Sequence, residues 1–127
     1  MEPEVATTFV AAVDTILPAS SDAGVHARVW ELFEHAMPGY GYMVHALLDG
    51  FAAEERTGAS FADLNQDERG RVFIAMISDD SIDVRDVVDG LFLFTLGQNY
   101  AETHPDREKV WRTIGYHGPS EGEPLDA

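Results

Sequence analysis

Histidine is the residue with the widest chemical range in this chain, and it occurs at positions 26, 35, 45, 104 and 117. An imidazole can bind a metal ion or act as a general base near neutral pH. None of the five stands in H-E-x-x-H or another recognised ligand spacing. His35 and His45 flank a Pro-Gly turn and could meet across a helix hairpin. A metal site built on them with Glu31 or Glu34 is one hypothesis, although a polar position on a half-exposed helix is the commoner explanation.

Close carboxylate pairs are the second feature that could carry chemistry. The pairs are Glu54-Glu55, Asp79-Asp80 and Asp83-Asp86. Adjacent acids on a helix point in different directions, and acids at a helix start oppose the positive end of its macrodipole. Neither arrangement specifies the raised pKa that a general acid needs. The acids are therefore interpreted as a solvated surface and as capping residues.

Cofactor fingerprints are missing from the sequence. Gly39, Gly41 and Gly50 do not form G-x-G-x-x-G, and no predicted strand precedes them. The chain has no cysteine, which excludes a disulfide, a thiolate metal site and a cysteine nucleophile. The sequence therefore predicts no catalytic residues, no metal ligands and no cofactor on this chain.

Composition and charge limit the class of protein and the kind of partner. A length of 127 residues with 45% hydrophobic residues is enough for one globular core. The longest apolar runs are far shorter than the roughly 20 residues of a membrane-spanning helix. A formal charge of −15 would repel nucleic-acid phosphates and anionic membranes. We expect no nucleic-acid partner and no direct membrane insertion, whereas a basic protein surface is a suitable partner.

The N-terminus predicts where the chain resides. It begins Met-Glu-Pro-Glu and has no basic region, twin arginine or long apolar stretch of an export signal. The chain as written is therefore expected in the cytoplasm. A periplasmic or membrane-associated location would require export together with a partner, or a signal that has been removed.

Helical periodicity dominates the chain. Apolar residues at spacings of three and four predict a first helix over residues 4–17, ended by Pro18, and a second from Val25 to Ala36. The loop between them, residues 19–22, offers good N-cap residues. A third helix is expected to bury one side and to stop at Gly58. That buried side comprises Met43, Leu47, Leu48 and Phe51.

Two further helices are predicted in the second half of the chain. Asn65 and Glu68 form a capping box, which predicts a helix that ends at Ile77. In the loop before this helix, Phe61 and Leu64 are expected to enter the core. Residues 79–81 begin the last long helix. Within it, residues 91–95 would also suit a buried strand, but no second strand signal exists to pair with them.

The sequence thus predicts an all-α protein with a single compact domain of about five amphipathic helices and an extended C-terminal tail. Residues 1–116 are assigned to the helical domain. Residues 117–127 are assigned to an acidic tail that contains glycine and proline.

Three segments match phrases that occur together in one protein family. The first segment joins residues 14–18, which read Asp-Thr-Ile-Leu-Pro, to residues 21–25, which read Ser-Asp-Ala-Gly-Val. Residues 61–69 read Phe-Ala-Asp-Leu-Asn-Gln-Asp-Glu-Arg, and residues 111–119 read Trp-Arg-Thr-Ile-Gly-Tyr-His-Gly-Pro. The last segment is similar to the closing phrase Trp-x-x-Ile-Gly-Tyr-Pro-Gly-Pro, with His117 in place of a proline. In order and separation the segments resemble the gluconate 2-dehydrogenase subunit 3 family.

This resemblance implies a non-catalytic small or gamma subunit. Its partner would be a large flavoprotein dehydrogenase of the glucose-methanol-choline type, which binds FAD and oxidises a sugar, polyol or sugar acid. In some complexes of this kind a multihaem cytochrome c subunit takes the electrons. The small subunit would support folding or maturation in a chaperone-like role. Candidate partner-binding residues lie in the closing phrase: Trp111, Ile114, Gly115, Tyr116 and Pro119.

Two alternatives stay open at this point. The first is a stand-alone helical enzyme or metal-binding protein that uses His35, His45 and nearby glutamates. The second is a small acidic inhibitor or regulator that occludes a basic surface. The closing phrase itself could also be an aromatic lid on the core of its own domain.

Overall fold

Helices account for the regular structure of the chain in the computed structural model, which describes residues 1–18 and 24–103 and side chains as far as Gln98. The α-helices are α1 (Pro3–Ile16), α2 (Val25–Ala36), α3 (Tyr40–Glu55), α4 (Gln66–Ile77) and α5 (Ile82–Thr103). A short 3₁₀ turn, Phe61–Asp63, precedes α4. The described ranges contain no strand, which confirms the predicted all-α class and makes residues 91–95 helical. The predicted C-terminal tail lies outside the described residues.

One aromatic side chain, Phe33 of α2, lies where three helices meet. Its ring contacts Phe9 of α1 at a centroid distance of 6.2 Å and Phe94 of α5 at 5.0 Å, both edge to face. Such pairs are more favourable than the buried area alone would suggest. Around this junction the buried side chains of all five helices form one core, which the predicted plugs Phe61 and Leu64 also enter.

Glycine permits the closest helix approaches in this core. A methyl group added at Gly90 of α5 would lie 2.9 Å from Phe33 Cε1. At Gly41 of α3 it would overlap the ring of Trp30 on α2. Real Cβ atoms rarely approach another group so closely, so both glycines are required by packing. The cost of glycine in a helix is therefore offset at Gly90 by the close contact with Phe33.

The helix starts agree with the sequence at α4 and differ at α2. Asn65 accepts the N–H of Glu68, and Glu68 accepts the N–H of Asn65, both at 2.9 Å. This confirms the predicted capping box. The N-cap of α2 is Gly24, in left-handed conformation with φ 71°, and not one of the polar residues 19–22 that the sequence favoured. Those residues lie outside the described ranges.

The buried side of α3 differs from the predicted one. The fully buried positions of this helix are Gly41, Val44, Leu48 and Ala52. Only Leu48 was predicted; Met43, Leu47 and Phe51 pack at the edges of the core and stay partly exposed. The reason is that α3 packs against α1, α2 and α4 together. Small residues let its backbone approach these neighbours, so its larger side chains move to the flanks.

A pair of glycines in α3 tests this packing. Gly41→Ala should destabilise the chain by about 1–3 kcal/mol, because the new methyl group forces Trp30 out of its position. Gly50→Ala is the matched control, since nothing lies within 4 Å of the added methyl group. It should stabilise α3 by up to about 1 kcal/mol through helix propensity. Urea unfolding of both variants makes the comparison, and equal effects at the two sites would contradict the packing assigned to Gly41.

Candidate partner-binding surface

The residues that the sequence nominated for partner binding cannot be placed. Trp111, Ile114, Gly115, Tyr116 and Pro119 lie outside the described residues. Among the described residues, the features that could form a site are the polar clusters, the cleft and the exposed apolar side chains of the five helices.

The structure does not form the hypothetical two-histidine site with Glu31 or Glu34. His45 of α3 contacts α1, where its Nδ1 lies 2.8 Å from Thr8 Oγ1. Within residues 1–18 and 24–103, no three histidine or acidic side chains are placed to hold one metal ion. Glu34 instead accepts the N–H groups of Gly39 at 3.1 Å and Gly41 at 2.8 Å, at the start of α3. The glutamate considered as a metal ligand is thus a helix cap.

A hydroxyl, an imidazole and a carboxylate come together at Thr8, His45 and Asp49. His45 Nε2 lies 3.7 Å from Asp49 Oδ2, on the side of the ring opposite Thr8. A triad of this kind would require a hydroxyl free to attack a substrate. Thr8 is 98% buried, since its exposed fraction is 2%, and its hydroxyl also donates to the carbonyl of Glu4 at 3.2 Å.

The polar partners of this cluster give it a structural role. Because Thr8 donates its hydrogen to Glu4, its oxygen accepts from the Nδ1–H of His45. Asp49 accepts the backbone N–H of Phe61 at 2.9 Å and so fixes the start of the 3₁₀ turn. The cluster joins α1, α3 and this turn, and its geometry supports no nucleophilic reaction.

Acidic side chains elsewhere also serve the backbone or an ion pair. Glu55 pairs with Arg71 across α3 and α4 at 2.7 Å. Asp79 accepts the N–H of Ser81 in the turn before α5 at 2.8 Å. Hydrogen bonds from the Ser60 backbone and hydroxyl hold the pKa of Asp63 below its usual range. These contacts agree with the interpretation of the acids as capping and surface residues.

Tyr40, at the first turn of α3, faces the acidic side of α5. Burial raises the pKa of Tyr40, and the nearby carboxylates of Asp86 and Asp83 raise it further. Its phenol therefore stays neutral at physiological pH and does not act as a base.

An open cleft of about 620 Å³ lies between α2 and α5. The described residues that line it are Gly24, Ala27, Arg28, Glu31, Leu32, His35 and Gln98. His35 and Glu31 follow one face of α2, and the only lining residue from α5 is Gln98 among those described. Because the cleft is open and most of its lining comes from a single helix, it provides no enclosed set of converging groups around a substrate.

Three exposed isoleucines mark the end of the hairpin formed by α4 and α5. Ile74 is 65% exposed, Ile77 50% and Ile82 63%. Ile77 ends α4 and Ile82 begins α5, so the two flank the turn formed by residues 78–81. We call these three residues the hairpin-tip surface. Several exposed branched aliphatic side chains at one end of a hairpin suit a contact site, because their burial against a partner is favourable.

A second exposed apolar set follows along α5. Phe92 is 37% exposed, Leu93 41% and Leu96 48%. Their spacing of three and four residues places them on one side of the helix, and we call them the α5 apolar face. Phe92 also touches Phe73 of α4 at a centroid distance of 5.7 Å.

Both surfaces were missed in the sequence, although signals for them exist. Residues 87–96 are apolar almost all round, more than one buried helix face requires. In α4 the buried residues are Val72, Phe73 and Met76, which leaves Ile74 and Ile77 beyond the core stripe. Assigning the excess apolar residues to the opposite face would have indicated the exposed surfaces.

Comparison with protein-family models, curated proteins and solved structures found no match for the chain. The resemblance to the dehydrogenase small subunits therefore rests on the three sequence segments quoted above. No helix among the described residues is long and apolar enough to cross a membrane.

The polar clusters lead to a prediction about the isolated chain. We expect it to be colourless, free of stoichiometric metal and inactive on sugars or sugar acids, because Glu34 and His45 are engaged in helix contacts. Elemental analysis and a dye-reduction assay on the purified chain measure both properties. Stoichiometric zinc or iron that is lost in His35→Ala and His45→Ala would instead support the alternative of a metal protein.

Proposed function

We propose that this protein is a non-catalytic accessory subunit that binds a large flavoprotein dehydrogenase and stabilises it or assists its maturation. The large subunit, of the glucose-methanol-choline type, would carry FAD and oxidise a sugar, polyol or sugar acid. A cytochrome c subunit would accept electrons in complexes that contain one. The proposal takes the identity of the partner from the resemblance of residues 14–25, 61–69 and 111–119.

The observation that carries the proposal is the hairpin-tip surface. Three isoleucines, Ile74, Ile77 and Ile82, are each at least half exposed. They lie outside the core, which other apolar side chains fill. Moving such side chains from water to an interface contributes about 25 cal/mol per Å² of apolar area. A protein partner is the ligand that suits exposed apolar side chains that line neither described cleft, whereas a small molecule requires a pocket.

Charge supports a protein partner of a particular kind. Acidic residues Asp79, Asp80 and Asp83 adjoin the hairpin-tip surface in sequence, and the whole chain carries −15. An apolar patch bordered by basic residues on the large subunit would complement this surface and accelerate association. Positive charge on the partner is the complement that these acids favour.

The closing phrase extends the proposed interface. Trp111, Ile114 and Tyr116 provide large apolar groups, and Gly115 and Pro119 belong to the same phrase. Tryptophan and tyrosine are enriched among the residues that dominate binding energy at interfaces.

Isolation of the tagged chain from its own host tests the proposal directly. The eluate should contain a protein several times larger than this chain, with the visible absorbance of oxidised flavin, and should oxidise a sugar or sugar acid. Recovery of the chain without any flavoprotein would overturn the proposal.

A substitution in the hairpin-tip surface tests where the partner binds. Ile77→Asp should weaken binding of the flavoprotein by roughly thirtyfold, the effect of about 2 kcal/mol, because a carboxylate would be buried in an apolar contact. Met37→Asp is the control, since Met37 and Ile77 are both 50% exposed and lie in different parts of the chain. Both variants should unfold within about 0.5 kcal/mol of the parent, as surface changes usually do. Equal binding by the two variants would remove the hairpin tip from the interface.

Truncation of the aromatic anchor tests the closing phrase. Trp111→Ala should reduce affinity for the flavoprotein by roughly thirtyfold or more. Glu121→Ala, further along the same tail, is the control and should bind as the parent does. Titration of the purified flavoprotein with each variant provides the affinities, and unchanged binding by Trp111→Ala would exclude the phrase as an anchor.

A further inference from the structure

The α5 apolar face is partly exposed among the described residues, and within it Phe92 contacts Phe73 of α4. Phe92, Leu93 and Leu96 remain more than one-third exposed, although each lies beside buried neighbours on the same helix. Residues 104–127 follow directly after α5 and are outside the structure. They include Val110, Trp111 and Ile114, which need an apolar contact of their own.

We propose that in the free chain residues 106–116 fold back along α5 and pack Trp111 and Ile114 on the α5 apolar face. The occupant of this face is thus a segment of the same chain. The inference concerns the subunit before any partner is bound, and it does not depend on the proposed function.

Chain length permits the contact. Leu96 lies about 10 Å from the end of α5, and Leu93 about 15 Å, at a rise of about 1.5 Å per residue. The chain between the end of α5 and Trp111 spans up to about 26 Å when it is fully extended. The sequence has a proline at position 105, and proline lacks the N–H that a continuing helix would need, which favours a change of direction after α5. The segment can therefore reach both leucines without strain on α5.

Charge complements the apolar contact. On the N-terminal side of Leu93, the same side of α5 carries two exposed acids. Asp89 lies four residues before Leu93, and Asp86 three residues before Asp89. The segment carries three bases, Arg107, Lys109 and Arg112, against two acids, Asp106 and Glu108, and Lys109 and Arg112 directly flank Val110 and Trp111. Its net charge of +1 contrasts with −15 for the whole chain. An apolar surface flanked by acids thus faces a segment whose apolar residues are flanked by bases. Complementary charges of this kind favour contact between the segment and α5.

Two other occupants are less suited to this face. A second copy of the chain would bring two bodies of charge −15 together, which opposes association. A separate partner must find the face at its own concentration, whereas a tethered segment has an effective concentration in the millimolar range. The tethered segment therefore occupies the face first.

Paramagnetic labelling of the free chain tests the fold-back. Because the chain has no cysteine and only 2 tryptophans, Arg85→Cys can carry one nitroxide, and the indole N–H signal of Trp111 is identified with Trp111→Phe. Arg85 is exposed on the outer side of α5, away from the contact itself. The label should broaden the Trp111 signal strongly. A label on Glu54→Cys, exposed on α3, is the control and should broaden it little.

Further arms separate the occupants. Leu93→Asp in the Arg85→Cys background should restore the Trp111 signal, whereas Ile77→Asp should leave it broadened, with circular dichroism confirming that both variants fold. Isotope-labelled chain without nitroxide, mixed with nitroxide-labelled chain, should show no broadening; broadening there would assign the face to a second copy and overturn the proposal. A sharp Trp111 signal in the singly labelled free chain would overturn it as well. None of these outcomes involves the flavoprotein, so failure of the proposed function would leave the result unaffected.

Discussion

The contact between Phe33 and the backbone of α5 at Gly90 is the constraint on which the arrangement of the helices depends. The ring of Phe33 occupies the space that any larger residue at position 90 would need. From there it contacts Phe9 and Phe94, so α1, α2 and α5 share one packed junction. Interiors are close-packed, and a displaced ring would separate all three helices. The remaining helices then pack on a framework whose spacing is already set.

The same packing explains why polar residues that look chemically versatile have structural roles. The N–H groups at the start of a helix have no partners within that helix, and Glu34 of α2 accepts two of those at the start of α3. His45 and Thr8 satisfy each other at the contact of α3 with α1. In the part of the chain that is described, the groups with catalytic potential thus connect helices, and the outer surface carries the features suited to binding.

That outer surface is organised along the hairpin of α4 and α5. Its tip exposes three isoleucines, and α5 continues as an acidic and then an apolar outer side toward the end of the helix. The two proposals use different parts of it: the tip for a large partner, and the apolar face for the chain's own segment. Such a division covers the α5 apolar face in the free subunit and the tip in the complex, and covering exposed apolar surface limits aggregation.

The helix α3 ends at Glu55, before the predicted stop at Gly58. Local sequence was otherwise sufficient for the helices, the end of α1 before Pro18, the capping box at Asn65 and the core positions Phe61 and Leu64. Each of these depends on periodicity or on hydrogen bonds between near neighbours, which residues three or four apart specify directly. Two features depended on contacts between different helices. These are the side of α3 that is buried, and the role of Glu34 as a cap of the next helix. Tertiary contacts also decided which apolar residues of α4 and α5 are exposed. An apolar side chain has the same chemistry in a core or on a surface, and only a packed neighbour determines whether it is buried.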